Sequence, residues 1–90
     1  MVYANRNLDG YTESRAKILR KVVKELLDLE NVGYTADQIA HKINEHILSI
    51  RPRVSELYTK NLVFDTGKRG INSSGKKAII WKSAKWWDEE

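Results

Sequence analysis

The chain has 90 residues, 41% hydrophobic and 31% charged, a balance that suits one globular domain and excludes an intrinsically disordered chain. Its net charge of +4 is unevenly placed: residues 1–45 carry seven basic and seven acidic side chains, whereas residues 51–85 carry nine basic ones against only Glu56 and Asp65. No apolar run is long enough to span a membrane and no charged-then-apolar leader opens the chain, while the lack of cysteine excludes disulfides, a thiol nucleophile and a cysteine-based zinc site.

These traits predict a cytoplasmic protein with a polyanionic partner for its basic second half. Residues 1–11 lack periodicity and read as a flexible N-terminal arm. From Thr12 the apolar positions Ile18, Leu19, Val22, Val23, Leu26 and Leu27 recur every three or four residues, the signature of a helix with one wide buried face. Thr12 is the expected N-cap, and Asn31 or Gly33 the left-handed residue that ends the helix.

A second helix opens at Thr35, whose hydroxyl and the amide of Gln38 form a capping box; Ile39, Ala40 and Ile43 face inward. A third is expected from an N-cap at Ser49 to a left-handed end at Asn61. Its buried stripe is Ile50, Val54 and Leu57, with Tyr58 at its edge, and Arg51, Arg53, Glu56 and Lys60 outside. Pro52 then falls in the first turn, where a missing N–H has no intrahelical partner to lose.

Beyond Asn61 the apolar period drops to two. "LVFDT" and "KAIIWK" read as strands, and the polar, glycine-rich stretch from Gly67 to Lys76 as a long hairpin loop. Trp81 is expected in the core against the first helix. The adjacent Trp86 and Trp87 lie in a tail, residues 83–90, and cannot share one face of a regular element. They either fold back on the body or offer a surface to a homodimer or protein partner.

Two short helices joined by a turn and followed by a basic hairpin form a helix-turn-helix with a wing. From "YTADQIAHKI" through "SIRPRVSELYTKNLVFDTGKR" to "SSGKKAIIWK", the sequence resembles the winged helix-turn-helix DNA-binding family, small phage-encoded members in particular. The likeness covers roughly residues 12–82. Leu57 to Val63 match the family's Leu-x-x-x-Gly-Leu-Ile/Val ending of the recognition helix, with Asn61 in the glycine's place; the turn "NEHIL" also lacks the common glycine. The resemblance implies an α+β fold of three helices and a two-stranded wing, and a protein that binds double-stranded DNA. Its role would be transcription regulation, or accessory work in phage recombination or replication in the host cytoplasm.

On that reading the third helix enters the major groove. Arginine suits bidentate contact with guanine, so Arg51 and Arg53 are the expected base or phosphate contacts, with Ser49, Pro52, Ser55 and Lys60 beside them. Glu56 either accepts from cytosine N4 or pairs with Arg53 one turn earlier. In the wing, Lys68, Arg69, Lys76 and Lys77 bracket the small polar residues Asn72, Ser73 and Ser74, which let backbone N–H groups approach phosphates, with insertion of Arg69 into the minor groove as the alternative. Neutralising about five phosphates predicts a log-affinity slope of about −4 to −5 against log salt. The same scaffold could instead serve as a protein-interaction module using the tryptophan tail, or bind RNA through the hairpin.

Other chemistry is thin. "GINSSGKK", Gly70 to Lys77, spells most of a P-loop, but Lys77 stands where the Mg²⁺-binding hydroxyl belongs and a strand pattern follows instead of a helix. No nucleotide or other small-molecule ligand, and no cofactor, is expected. His41 and His46 are five apart, off a shared helical face, which argues against a joint metal site. No nucleophile, base and orienting group recur together, so no enzyme is expected.

Overall fold

The computed structural model describes residues 13–89. Its elements are α1 (Glu13–Leu29), α2 (Ala36–Lys42), α3 (Ile47–Thr59), β1 (Val63–Ile71), β2 (Lys77–Ser83) and a closing 3-10 helix (Ala84–Glu89). Three helices followed by an antiparallel hairpin give the α+β helix-turn-helix and wing expected. The Thr12 cap and the arm of residues 1–11 lie outside the described residues.

The core sits where the three helices meet the base of the hairpin. Ala16, Leu19, Val23 and Leu27 of α1 face it; Ile39, Ala40, Ile50, Val54, Leu57 and Val63 complete it. Full burial of one such aliphatic side chain contributes about 1.5–3 kcal/mol. The wide face expected on α1 is narrower than the apolar pattern. Successive residues point about 100° apart, so in each adjacent pair the second member takes the centre. Ile18 is exposed, and Val22 and Leu26 are half-buried at the edge.

The helix ends are built largely by side chains. Thr35 Oγ1 accepts from Gln38 N while Gln38 Oε1 accepts from Thr35 N, the capping box expected for α2. Both α2 and α3 finish in Schellman motifs. Asn44 N donates to His41 O and Glu45 N to Ala40 O; Asn61 N donates to Tyr58 O and Leu62 N to Leu57 O. Asn44 (φ 57°) and Asn61 (φ 62°) hold the left-handed positions that glycine usually fills. The glycine-free turn between α2 and α3 therefore closes in the ordinary way.

Other expected boundaries move. α3 begins at Ile47, two positions before Ser49 could serve as its cap, because His46 Nδ1 accepts from Leu48 N at 3.1 Å and caps it instead. Histidine is outside the preferred capping set, so the sequence pattern does not flag it. Pro52 is consequently the sixth helical residue, where its nitrogen would have donated to the Leu48 carbonyl; one intrahelical bond is missing. α1 does not end on a left-handed residue, since neither Asn31 nor Gly33 has positive φ. Gly33 is needed for closeness: a Cβ there would lie 2.4 Å from Ile80 Cγ2.

The hairpin is longer and its loop shorter than the glycine content suggests. β1 runs on to Ile71, paired with Lys77, so residues 72–76 alone turn the chain. Between Asp65 and Arg69 the register shifts, with Gly67 (φ 84°) in the irregular stretch. Asp65 Oδ1 accepts from Gly67 N at 2.8 Å, and Thr66 Oγ1 donates to Ile80 O at 2.8 Å. At the base, Tyr34 and Trp81 exchange two backbone hydrogen bonds, tying the segment before α2 to the wing. Trp81 is half-buried and packs against the core cluster to which α1 contributes Leu19, Val23 and Leu27. Its ring meets Tyr58 of α3 edge-on at 5.3 Å, and Tyr58 itself is 52% exposed, at the rim and not in the buried stripe.

The segment 83–89 is tied to the body. Ser83 is fully buried as the last residue of β2 and its hydroxyl bonds Asp28. Trp86 Nε1 donates to Leu27 O at 3.1 Å, while Trp87 stands 61% exposed with its ring edge-on to Phe64 at 4.8 Å.

Candidate nucleic-acid interface

The phase of α3 divides the residues expected to touch a nucleic acid. Leu48, Arg51, Pro52, Ser55 and Thr59 are all exposed and fall on one outward stripe at helical spacing. Ser49, Arg53, Glu56 and Lys60 fall on another, from which Glu56 bonds Arg20 of α1 and Lys60 lines a groove with α1. Ser49 and Arg53 are each 8% exposed, against the expectation of a solvent-facing contact. Arg53 makes a bidentate pair with Glu56, Nε to Oε1 and Nη2 to Oε2, both at 2.9 Å. Glu56 Oε1 also accepts from Arg20 of α1 at 2.8 Å, and Arg20 continues to Glu13. Arg53 therefore links α3 internally and toward α1, and is not part of the outward face.

Lys60 is exposed but also lies away from that face. It lines a groove between α1 and the end of α3 with Lys17, Arg20, Lys21 and Leu57. Leu48, at 68% exposure, and Thr59 belong to the outward stripe and are absent from the residues expected on sequence grounds. Leu48 becomes visible only once the helix is known to start at Ile47, whereas Thr59 lies one turn beyond Ser55 within the expected helix.

The wing stands beside the N-terminal end of α2. Its tip is shaped by Asn72, whose Oδ1 accepts from Ser74 N, Ser74 Oγ and Lys76 N at 2.7–3.0 Å. Asn72 and Ser74 thus build the turn. Lys68, Lys76 and Lys77 are exposed and form no ion pair among the described residues. Arg69 is paired within the wing, Nη1 to Asp65 Oδ1 at 2.9 Å. The hairpin approaches α2 closely: a Cβ on Gly70 would lie 2.9 Å from Thr35 Cγ2.

Asp37, in the first turn of α2, joins the wing tip to α3. Its Oδ2 accepts from Ser73 N at 3.0 Å and Ser73 Oγ at 3.1 Å, and its Oδ1 lies 3.5 Å from Arg51 Nη2. Nothing in the sequence marks Asp37, since the contact spans 36 positions. The bond from the Ser73 backbone N–H is the chief reason its carboxyl titrates below the ordinary range; burial opposes, and the Ser73 hydroxyl and Arg51 assist. Asp65 is likewise lowered, first by Gly67 N and then by Arg69. For Glu56, burial pushes upward, but the bonds from Arg53 and Arg20 outweigh it and the net shift is down.

Among the described residues no cluster of His, Asp and Glu could hold a metal ion, and no helix is long and apolar enough to cross a membrane. A helix-turn-helix with an exposed polar stripe on its second helix, and a basic hairpin bonded beside that stripe, defines a winged-helix protein. No protein-family model and no curated protein matches the sequence. Among solved structures the chain is similar to a cysteine-to-serine mutant of ZitR from Lactococcus lactis, at 14% identity and a TM-score of 0.41. The match covers 99% of this chain and 57% of that one. At that level the likeness says nothing of what this chain binds, and the fold rests on its own elements.

Proposed function

We propose that the chain binds double-stranded DNA, laying the outward stripe of α3 in the major groove and the wing against phosphates or the adjoining minor groove. The observation that supports this most is that Arg51 of α3 and Ser73 of the wing tip share Asp37, which makes helix and wing one continuous polar surface. On this reading Arg51 and Ser55 hydrogen-bond to base edges or phosphates, and Pro52 stiffens the helix between them. Leu48 offers apolar contact to a thymine methyl group. Lys68, Lys76 and Lys77 supply the phosphate-seeking charge. The role is that of a transcription regulator, or a phage-type accessory factor of recombination or replication, acting in the cytoplasm without cofactor or catalysis.

Selection from a random-sequence duplex library at low salt tests this. Wild-type protein should retain duplex and enrich a defined site. The double variant Leu48→Ala, Ser55→Ala should lose the preference, each good base contact being worth about 1–3 kcal/mol, whereas Arg51→Ala should weaken retention of all sequences alike. An A-form RNA duplex is the matching control, because its narrow major groove does not admit a helix. A protein that retains no DNA duplex at low salt sinks the reading and leaves a protein-interaction module. One observation favours that second reading: Trp87 keeps most of its ring exposed at the surface, whereas Trp86 is spent on Leu27.

A further inference from the structure

Three donors on two elements converge on one anion in this structure. The Ser73 N–H and O–H come from the wing tip and the Arg51 guanidinium from α3, and the anion is the Asp37 carboxylate. The tip is not placed there loosely. Asn72 Oδ1 ties Ser74 and Lys76 around Ser73, and Gly70 lets the hairpin come within van der Waals reach of Thr35. A carboxylate and a phosphodiester each present two oxygens sharing one negative charge, and both are matched by a backbone N–H, a hydroxyl and a guanidinium.

We propose that Ser73 and Arg51 form a built phosphodiester-binding site and that Asp37 is its internal, exchangeable occupant in the free protein. The inference rests on the DNA-binding reading and deepens it. When duplex docks, a backbone phosphate takes the Ser73 N–H, the Ser73 hydroxyl and Arg51, and Asp37 turns to solvent. The exposure of the pair permits this: Arg51 is 54% and Asp37 19% exposed at the side chain, and the 3.5 Å spacing between them is the loosest of the ion pairs around the interface. The exchange sets a threshold, because contacts that merely attract a polyanion must first displace an anion already in place.

The charge balance gives a quantitative test. In wild-type protein Arg51 and Asp37 together are neutral, so the site adds no net cation to counterion release. Binding of a fluorescent random-sequence duplex is measured by anisotropy over a salt series, for Asp37→Asn and Asp37→Ala, each in the wild-type and Arg51→Ala backgrounds. Neutralising Asp37 should tighten binding about 10-fold at low salt and steepen the slope by about 0.9, the increment for one more phosphate neutralised. In the Arg51→Ala background the gain should shrink to about 2-fold, the remnant of screened repulsion. An equal gain in both backgrounds overturns the proposal in favour of simple repulsion. Weaker binding by a variant with an unchanged melting curve overturns it too, since Asp37 would then be needed to organise the wing.

The wild-type protein supplies a readout that needs no variant. The Ser73 amide proton resonance should move on titration with duplex as its acceptor changes, and a stationary resonance in a saturated complex overturns the exchange. Wild-type protein that binds no duplex removes the DNA-binding reading and this inference together, whereas the outcomes above remove the inference alone.

Discussion

Arg51 and Arg53 are separated by about 200° on the helix, since each residue advances the chain about 100°, and that turn gives them different work. Arg51 is exposed and pairs with Asp37 at long range, whereas Arg53 is buried in a fork-to-fork pair with Glu56 that Arg20 extends to α1. Bonds to charged groups contribute more than neutral ones, and a bidentate pair also fixes geometry. Arg53→Ala should therefore destabilise the fold by about 1–3 kcal/mol, while Arg51→Ala stays within about 0.5 kcal/mol of wild type. Urea unfolding of both variants checks this, and equal losses would contradict it. The contrast bears on function as well. Weak DNA binding by an Arg53 variant would report on folding, so Arg51 is the arginine at which contact with DNA is tested. The i,i+3 pairing of Arg53 with Glu56 is legible in the sequence, but the bond from Arg20 that holds Glu56 to α1, 36 positions away, is not.

At the scale of elements, what is legible in the sequence depends on how local the determining contacts are. The capping box of α2, the burial of Ile50, Val54 and Leu57 in α3 and the existence of two strands all follow from residues a few places apart, and in all three the structure agrees with the pattern. The start of α3 is not legible in this way, because an imidazole acceptor at His46 is an uncommon cap. The extent of β1 is not either: glycines at 67 and 70 read as loop, yet one serves a register shift and the other a close approach to Thr35. In the candidate site the basic residues of α3 and the wing lysines are legible from composition, whereas the burial of Ser49 and the turn of Lys60 toward the groove beside α1 need the helix phase, and Asp37 needs the wing's position. The end of α3 permits a direct measurement. Asn61 sits at φ 62° in a Schellman motif, a conformation that disfavours a Cβ by roughly 1–2 kcal/mol for most L-residues and not at all for glycine. Asn61→Ala should lower stability by about 1 kcal/mol and Asn61→Gly should match or exceed wild type, read from the midpoint of chemical unfolding. If alanine is tolerated as well as glycine, the left-handed cap is not what ends the helix.

At the scale of the molecule, carboxylates carry both the stability profile and the net interface charge. Asp28, Asp37, Glu56 and Asp65 all titrate below their ordinary range in the folded state. For Asp28 burial pulls the other way, and the bonds from Lys24 and Ser83 prevail. A carboxyl lowered by folding stabilises the protein above its unfolded value, about 4 for these groups, and the contribution is lost as pH falls through the folded value. Stability should hold from neutrality down to about pH 5 and fall steeply below about pH 4, as followed by thermal melting across pH. A melting temperature flat to about pH 3 would show that these pairs add nothing. The same pairs limit what the interface can offer a polyanion. Arg51 is offset by Asp37, Arg69 by Asp65 and Arg53 by Glu56, and Lys60 faces the groove beside α1. Lys68, Lys76 and Lys77 remain as net cations on the wing. Each phosphate neutralised contributes about 0.9 to the slope, so log affinity for random duplex should fall against log salt with slope about −3, shallower than the roughly −4 to −5 that a count of basic residues suggests. Titrations between low and moderate salt decide between them. A slope near about −5 would mean that the paired arginines also release counterions, and that their aspartates leave them before the duplex arrives.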